Sequence, residues 1–221
     1  MCIRDSLCFG RRPRPAEVER ARLLYLEAAR SDAAPVAAYL GAGRAIAWLI
    51  EHEPDGDRRT ELAVEGVQIA QWCGRLFPDV VECDYRLALA VGQQARERSA
   101  TALDGLDVMV ALLEKVIAKA PELDFAGGHR VLALVLARAP GWPTGPGDPE
   151  AALDHARAAV ESFGGYPPNH LVLAETLVEN GLRKEAIAAF ERGIELAKSG
   201  DVDPETLDWI NRAEEALTDL R

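Results

Sequence analysis

Apolar side chains recur three and four positions apart along nearly the whole chain, and no stretch shows sustained two-residue alternation of β-branched residues. That period is helical. From 15 to 30, Val18, Ala21, Leu24, Tyr25 and Ala28 form one apolar stripe. Pro35 is placed to open a second helix in its first turn, where a missing N–H costs nothing. That helix carries Ala38, Ile46, Trp48, Leu49 and Ile50. Residues 52–57, with Pro54 and Gly56, read as a loop before a third helix over 58–76. Pro78 is expected to start a fourth, reaching Arg98. Thr101, with Asp104 three residues on, caps a fifth whose apolar positions are Leu103, Leu106, Val110, Leu113 and Ile117. A sixth covers 126–138.

The C-terminal part is punctuated more sharply. Residues 141–147 are a Pro/Gly loop, and Asp148-Pro149-Glu150 is a cap followed by proline at the first helical position. The seventh helix starts there and ends before Gly164-Gly165. Pro167 or Pro168 opens the eighth, and Asn180-Gly181 closes it with a left-handed residue. The ninth runs over 183–198 and stops at Gly200; Asp203-Pro204 repeats the cap-then-proline signal for a tenth. About ten antiparallel helices with short links predict an all-α stack. The expected organisation is a single domain over 15–221, with 1–14 outside it.

One internal repeat stands out. Leu173-Ala174, Ala186, Phe190 and Gly193 supply a large and then a small residue on one helix, then small, bulky and small residues on the next. That is the tetratricopeptide pattern. Small residues let the helices of a hairpin approach closely, and the bulky one fills the hole to the next hairpin. Leu132-Ala133 with Ala152, Ala156 and Ala159 fits the same frame once residues 141–147 are set aside as an insertion. The expected fold is therefore a tetratricopeptide-like α-solenoid.

Residues 125–197 carry a more specific likeness. Gly127-Gly128-His129-Arg130, Ala139-Pro140-Gly141-Trp142-Pro143, Gly147-Asp148-Pro149-Glu150, Pro167-Pro168-Asn169-His170 and Leu173-Ala174-Glu175 occur in order, with Ala47-Trp48-Leu49 as a weaker echo upstream. This set resembles the T component family of TRAP-associated transport systems, bacterial proteins of tetratricopeptide type. The resemblance implies a periplasmic scaffold that docks the substrate-binding P component. It also implies ring-like homo-oligomers with an apolar channel for a small organic ligand. The N-terminal third matches this family poorly.

Charge removes other classes. With 36 acidic against 25 basic residues the formal net charge is −11, which repels nucleic acid and anionic membrane faces. No apolar run reaches the ~18 residues of a membrane span. Met1 to Ser6 reads as a translated sequencing adaptor, and Cys8 follows Ser6-Leu7 without the small residue of a lipoprotein signal. The expectation is thus periplasmic by resemblance, lipid-anchored if the natural N-terminus is missing, and cytoplasmic if the chain is complete. In that last case the reading becomes a generic adaptor for an unknown protein partner. Cys73 and Cys83 fall in helical patterns and are expected as buried free thiols, a disulfide being the alternative.

Candidate contacts follow from these motifs. Arg130 beside a double glycine at a helix start has the donors to grip an anion, or to hold a tight turn. Trp142, in a proline-rich loop, either faces a partner or plugs the gap between the sixth and seventh helices. Asn169 is expected to bond backbone of the Trp142 loop. On the eighth helix, Leu171, Glu175, Val178 and Glu179 are expected to face inward. Their acidic character disfavours a carboxylate clamp there. His52, His129, His155 and His170 never fall at metal-ligand spacing, and no nucleophile motif is present. Neither a cofactor nor an enzymatic reaction is expected, a His129–Asp148 acid–base pair being the weakest alternative.

Overall fold

The computed structural model describes residues 13–31, 33–97, 102–200 and 204–221. Among them the chain forms ten α-helices: α1 Pro15–Ala29, α2 Val36–His52, α3 Gly56–Leu76, α4 Val81–Glu97, α5 Ala102–Lys119, α6 Gly127–Arg138, α7 Pro149–Ser162, α8 Pro167–Glu179, α9 Arg183–Ser199 and α10 Pro204–Asp219. No strand occurs among the described residues. The helices fall into two compact units, one ending at Lys119 and the next beginning at Ala120.

Most ends obey local rules. Asp148 Oδ1 accepts from the backbone N–H groups of Glu150 and Ala151 at 3.1 and 3.0 Å, and Pro149 follows it as the first helical residue. Gly181, at φ +71°, closes α8, and the N–H of Leu182 reaches back to the Leu177 carbonyl at 2.8 Å. The fourth helix starts at Val81 rather than Pro78, because a turn from Phe77 to Val80, closed by a 3.0 Å bond, comes first. The caps expected at Thr101 and Asp203 lie outside the described residues.

In the first unit α2 packs on α1 and α3, and α4 packs on α3 and α5; α2 and α4 also touch each other. Val18, Ala45, Ile46, Leu49, Ile50 and Leu62 form a buried cluster there. A Cβ on Gly41 would fall 2.6 Å from Tyr25 Cζ, so glycine is what lets α1 lie this close to α2. Arg22, almost fully buried, is held by Glu19 and by Glu65 of α3, each at 2.6 Å. A buried guanidinium needs such partners.

Cys73 and Cys83 are joined in a disulfide, with Cα atoms 5.4 Å apart. The expectation of free thiols is thereby corrected. Both are buried positions, one late in α3 and one early in α4, so packing brings the sulfurs together across the Phe77–Val80 turn.

The second unit repeats the arrangement: α6 touches α7 and α8, and α8 touches α7 and α9. Ala174 and Ala186 have no exposed surface, and Phe190 is buried beside them, with Leu173 packed on the same cluster. A Cβ on Gly193 would stand 3.2 Å from His170 Cβ, so the small residue sits where α8 and α9 cross. Burying Phe190 in that hole is worth roughly 1.5–3 kcal/mol.

Candidate functional site

The segment before α6 takes an unusual path. Asp124, Phe125 and Ala126 all have left-handed backbone, with φ of 53°, 54° and 63°. Residues with a Cβ avoid that region, and a run of three persists only when its surroundings hold it. Arg130 folds back from α6 to do so. Its Nη1 donates to the carbonyls of Asp124 and Phe125 at 3.0 and 3.2 Å, and its Nη2 to Asp124 Oδ2 at 2.7 Å. The guanidinium also lies 5.1 Å over the Tyr166 ring, on which Phe125 stacks at 4.6 Å. These bonds make Arg130 a clamp on its own turn.

Asn169 completes the clamp from α8. Its Oδ1 accepts from Arg130 Nη1 at 3.2 Å. Its Nδ2 donates to the carbonyls of Phe125, Ala159 and Phe163 at 3.2, 3.0 and 3.2 Å. The expected bond to the Trp142 loop is replaced by these. The Gly-Gly-His-Arg and Pro-Pro-Asn-His segments therefore meet side chain to side chain.

The loop between α6 and α7 is tied to itself. The N–H of Gly147 donates to the Pro140 carbonyl at 2.8 Å, those of Thr144 and Gly145 donate to Gly141 at 3.0 and 3.3 Å, and that of Asp148 donates to Leu136 at 2.9 Å. A Cβ on Gly145 or Gly147 would fall 2.8 Å from the Pro140 oxygen. The Trp142–Pro143 peptide is cis. Trp142 itself is 90% exposed, which removes the plug between the sixth and seventh helices and leaves the outward-facing reading.

The α8 candidates divide. Leu171 is half-buried and packs on the α8–α9 core. Glu175 pairs with Arg138 of α6. Val178 is 38% exposed and Glu179 is exposed near the turn into α9. His129 Nδ1 lies 2.9 Å from His155 Nδ1, so one ring donates and the other accepts. Burial, then the proximity of His155, lowers the pKa of His129. No group of three metal-ligating side chains gathers among the described residues.

One group escaped the sequence reading. On the shared face of α2 and α4, Arg44 Nη1 and Arg86 Nη2 reach the same oxygen, Glu82 Oε1, at 3.0 and 3.2 Å. The Glu82-to-Arg86 spacing of four is a visible helical signal. The link to Arg44, 38 residues away, is not.

No family model matches the chain, and no curated protein matches it. Solved structures do. A chain described as MamA MSR-1 C2 is 19% identical, with a TM-score of 0.54, over 83% of this chain and 89% of its own. The fold is of the tetratricopeptide type. A second structure, of MamA protein, is 16% identical over 81% of this tetratricopeptide-type chain and 93% of its own, with a TM-score of 0.40. Among the described residues no helix of the tetratricopeptide-type fold is long and apolar enough to cross a membrane.

Proposed function

We propose that this chain is a non-enzymatic binding scaffold of the kind the T component of TRAP-associated transport represents, docking a periplasmic substrate-binding protein. The observation that carries the reading is Trp142, 90% exposed on a loop braced by its own backbone bonds. A bare indole costs solvation and gains nothing inside the chain. Held rigid, it loses little entropy when a partner covers it, which is the character of an interface anchor. The ordered segments from Gly127 to Glu175 support the same family. The Cys73–Cys83 disulfide supports an oxidising compartment such as the periplasm, since reducing compartments keep such pairs open.

The test is a light-scattering column with the purified chain and P components from TRAP systems. A complex is expected, weakened at least about tenfold by Trp142→Ala. Failure of every P component to bind, with no complex on any column, removes the reading. The same run reports self-association.

A further inference from the structure

Spacing along the chain keeps the four histidines apart, yet folding brings two of them together. His129 stands in the first turn of α6 and His155 in the middle of α7, 26 residues on, with their Nδ1 atoms 2.9 Å apart. The ring centroids are 5.1 Å apart and the planes are tilted by 41°. Both residues are half-buried, so neither is sealed from solvent.

The backbone beneath the pair is fixed. Ala133 lies one turn after His129, Ala152 and Ala156 flank His155 on α7, and none of the three has exposed surface. Ala133 and Ala156 pack in one cluster, so small side chains hold α6 close to α7 at this crossing. The start of α6 is held as well, through the bonds of Arg130 and Asn169 to the turn before it. Both rings are thus carried on packed helices, and most of the entropy of gathering two ligands is already lost on folding.

A hydrogen bond is one way to use two nitrogens aimed at a common point; a metal ion is another. Imidazole nitrogens bind zinc at about 2.0–2.1 Å, so two of them at a tetrahedral angle stand about 3.3 Å apart. Widening the 2.9 Å gap to that separation takes a small rotation of the rings, whose χ2 wells are broad. The ring that donates in the hydrogen bond moves its proton from Nδ1 to Nε2 through water. Both Nδ1 lone pairs then face the ion, and two neutral rings lose no proton to make the site.

We propose that His129 and His155 form a two-histidine site for a late first-row divalent ion, zinc or copper, bound through Nδ1 of both rings. No third metal-ligating side chain gathers with them among the described residues, so water fills the remaining positions. Imidazole selects such ions over magnesium and calcium, which take oxygen ligands, and copper ranks above zinc. The inference is independent of the scaffold reading.

The probe is zinc ion added to the full chain at near-neutral pH. The thiols of Cys2 and Cys8 are alkylated beforehand, so that sulfur does not compete. Long-range proton–nitrogen spectra follow the ring nitrogens of all four histidines. A single ion per chain is expected to move the Nδ1 signals of His129 and His155 together, with those of His52 and His170 in place. His129→Gln and His155→Gln should each weaken zinc binding at least about tenfold. Copper should displace the zinc, and magnesium should not. Movement of one ring alone, or of Nε2 in place of Nδ1, overturns the proposal. Parent affinity in either variant does so too, as does displacement by magnesium. The spectra are read on the parent chain, so a variant that fails to fold leaves the decision with them.

Discussion

Asn169 has no exposed surface, and its amide donates to three carbonyls, one in the turn before α6 and two at the end of α7. Leucine has a similar size and no donor. Asn169→Leu would delete those bonds and the one from Arg130 and set apolar surface against the polar groups, at about 3 kcal/mol in all. Urea unfolding should show that loss; a variant within ~0.5 kcal/mol of the parent would mean water replaces the amide. His129 gives a pH signature. Its folded pKa lies below the ordinary value of 6.5, chiefly through burial. Unfolded chains then bind the extra proton, so stability is whole above that ordinary value and declines as pH falls through the folded one. The urea midpoint of the parent should fall from pH 7 to about pH 5 more steeply than that of His129→Gln. Parallel profiles would show that the histidine pair does not set the slope. Arg130 holding its own turn was one of its two readings, but its link to Asn169 was not legible. Arg130 and Asn169 lie 39 residues apart, and Asp124-Phe125-Ala126 contains no glycine or asparagine to announce a left-handed run.

Helices were the legible level, because a stripe period and a cap are local facts. Asp148-Pro149 starts α7 where the pattern placed it, and Asp148→Ala should cost about 1 kcal/mol of stability with Trp142 still exposed. A loss above ~2 kcal/mol would show that the cap also holds the loop. What local pattern cannot supply is how elements face one another. Cys73 and Cys83 read as two ordinary core positions because each satisfies its own helix; only the turn between them aligns the sulfurs. Trp142 carried two readings, and its exposure removes the plug. A large aromatic residue beside a gap between helices is normally filling, yet the loop's own bonds close the gap and leave the indole outside. Opening the disulfide should cost about 2.5–3 kcal/mol, the closure entropy of a loop with ten-residue separation. Denaturant curves with and without reductant check this, and coincident curves would remove the disulfide as a contributor.

Each unit has its own buried cluster: Val18, Ile46 and Ile50 in the first, Ala174, Phe190 and Ile210 in the second. Repeat folds owe stability to nearest neighbours, so a defect is felt first by the hairpins that touch it. The expected single domain over 15–221 and the two compact units differ in what they imply for cooperativity. A single cooperative domain would transmit the Asn169→Leu defect to every slow amide. Two separately stabilised units would not, because Asn169 bonds only within the second. Native-state hydrogen exchange on the full chain distinguishes them. The expected outcome is faster exchange in α6 to α9, by a factor of about 100 for a loss near 3 kcal/mol, with amides of α2 to α4 unchanged. A matched rise in α2 to α4 would mean that the chain unfolds as one body.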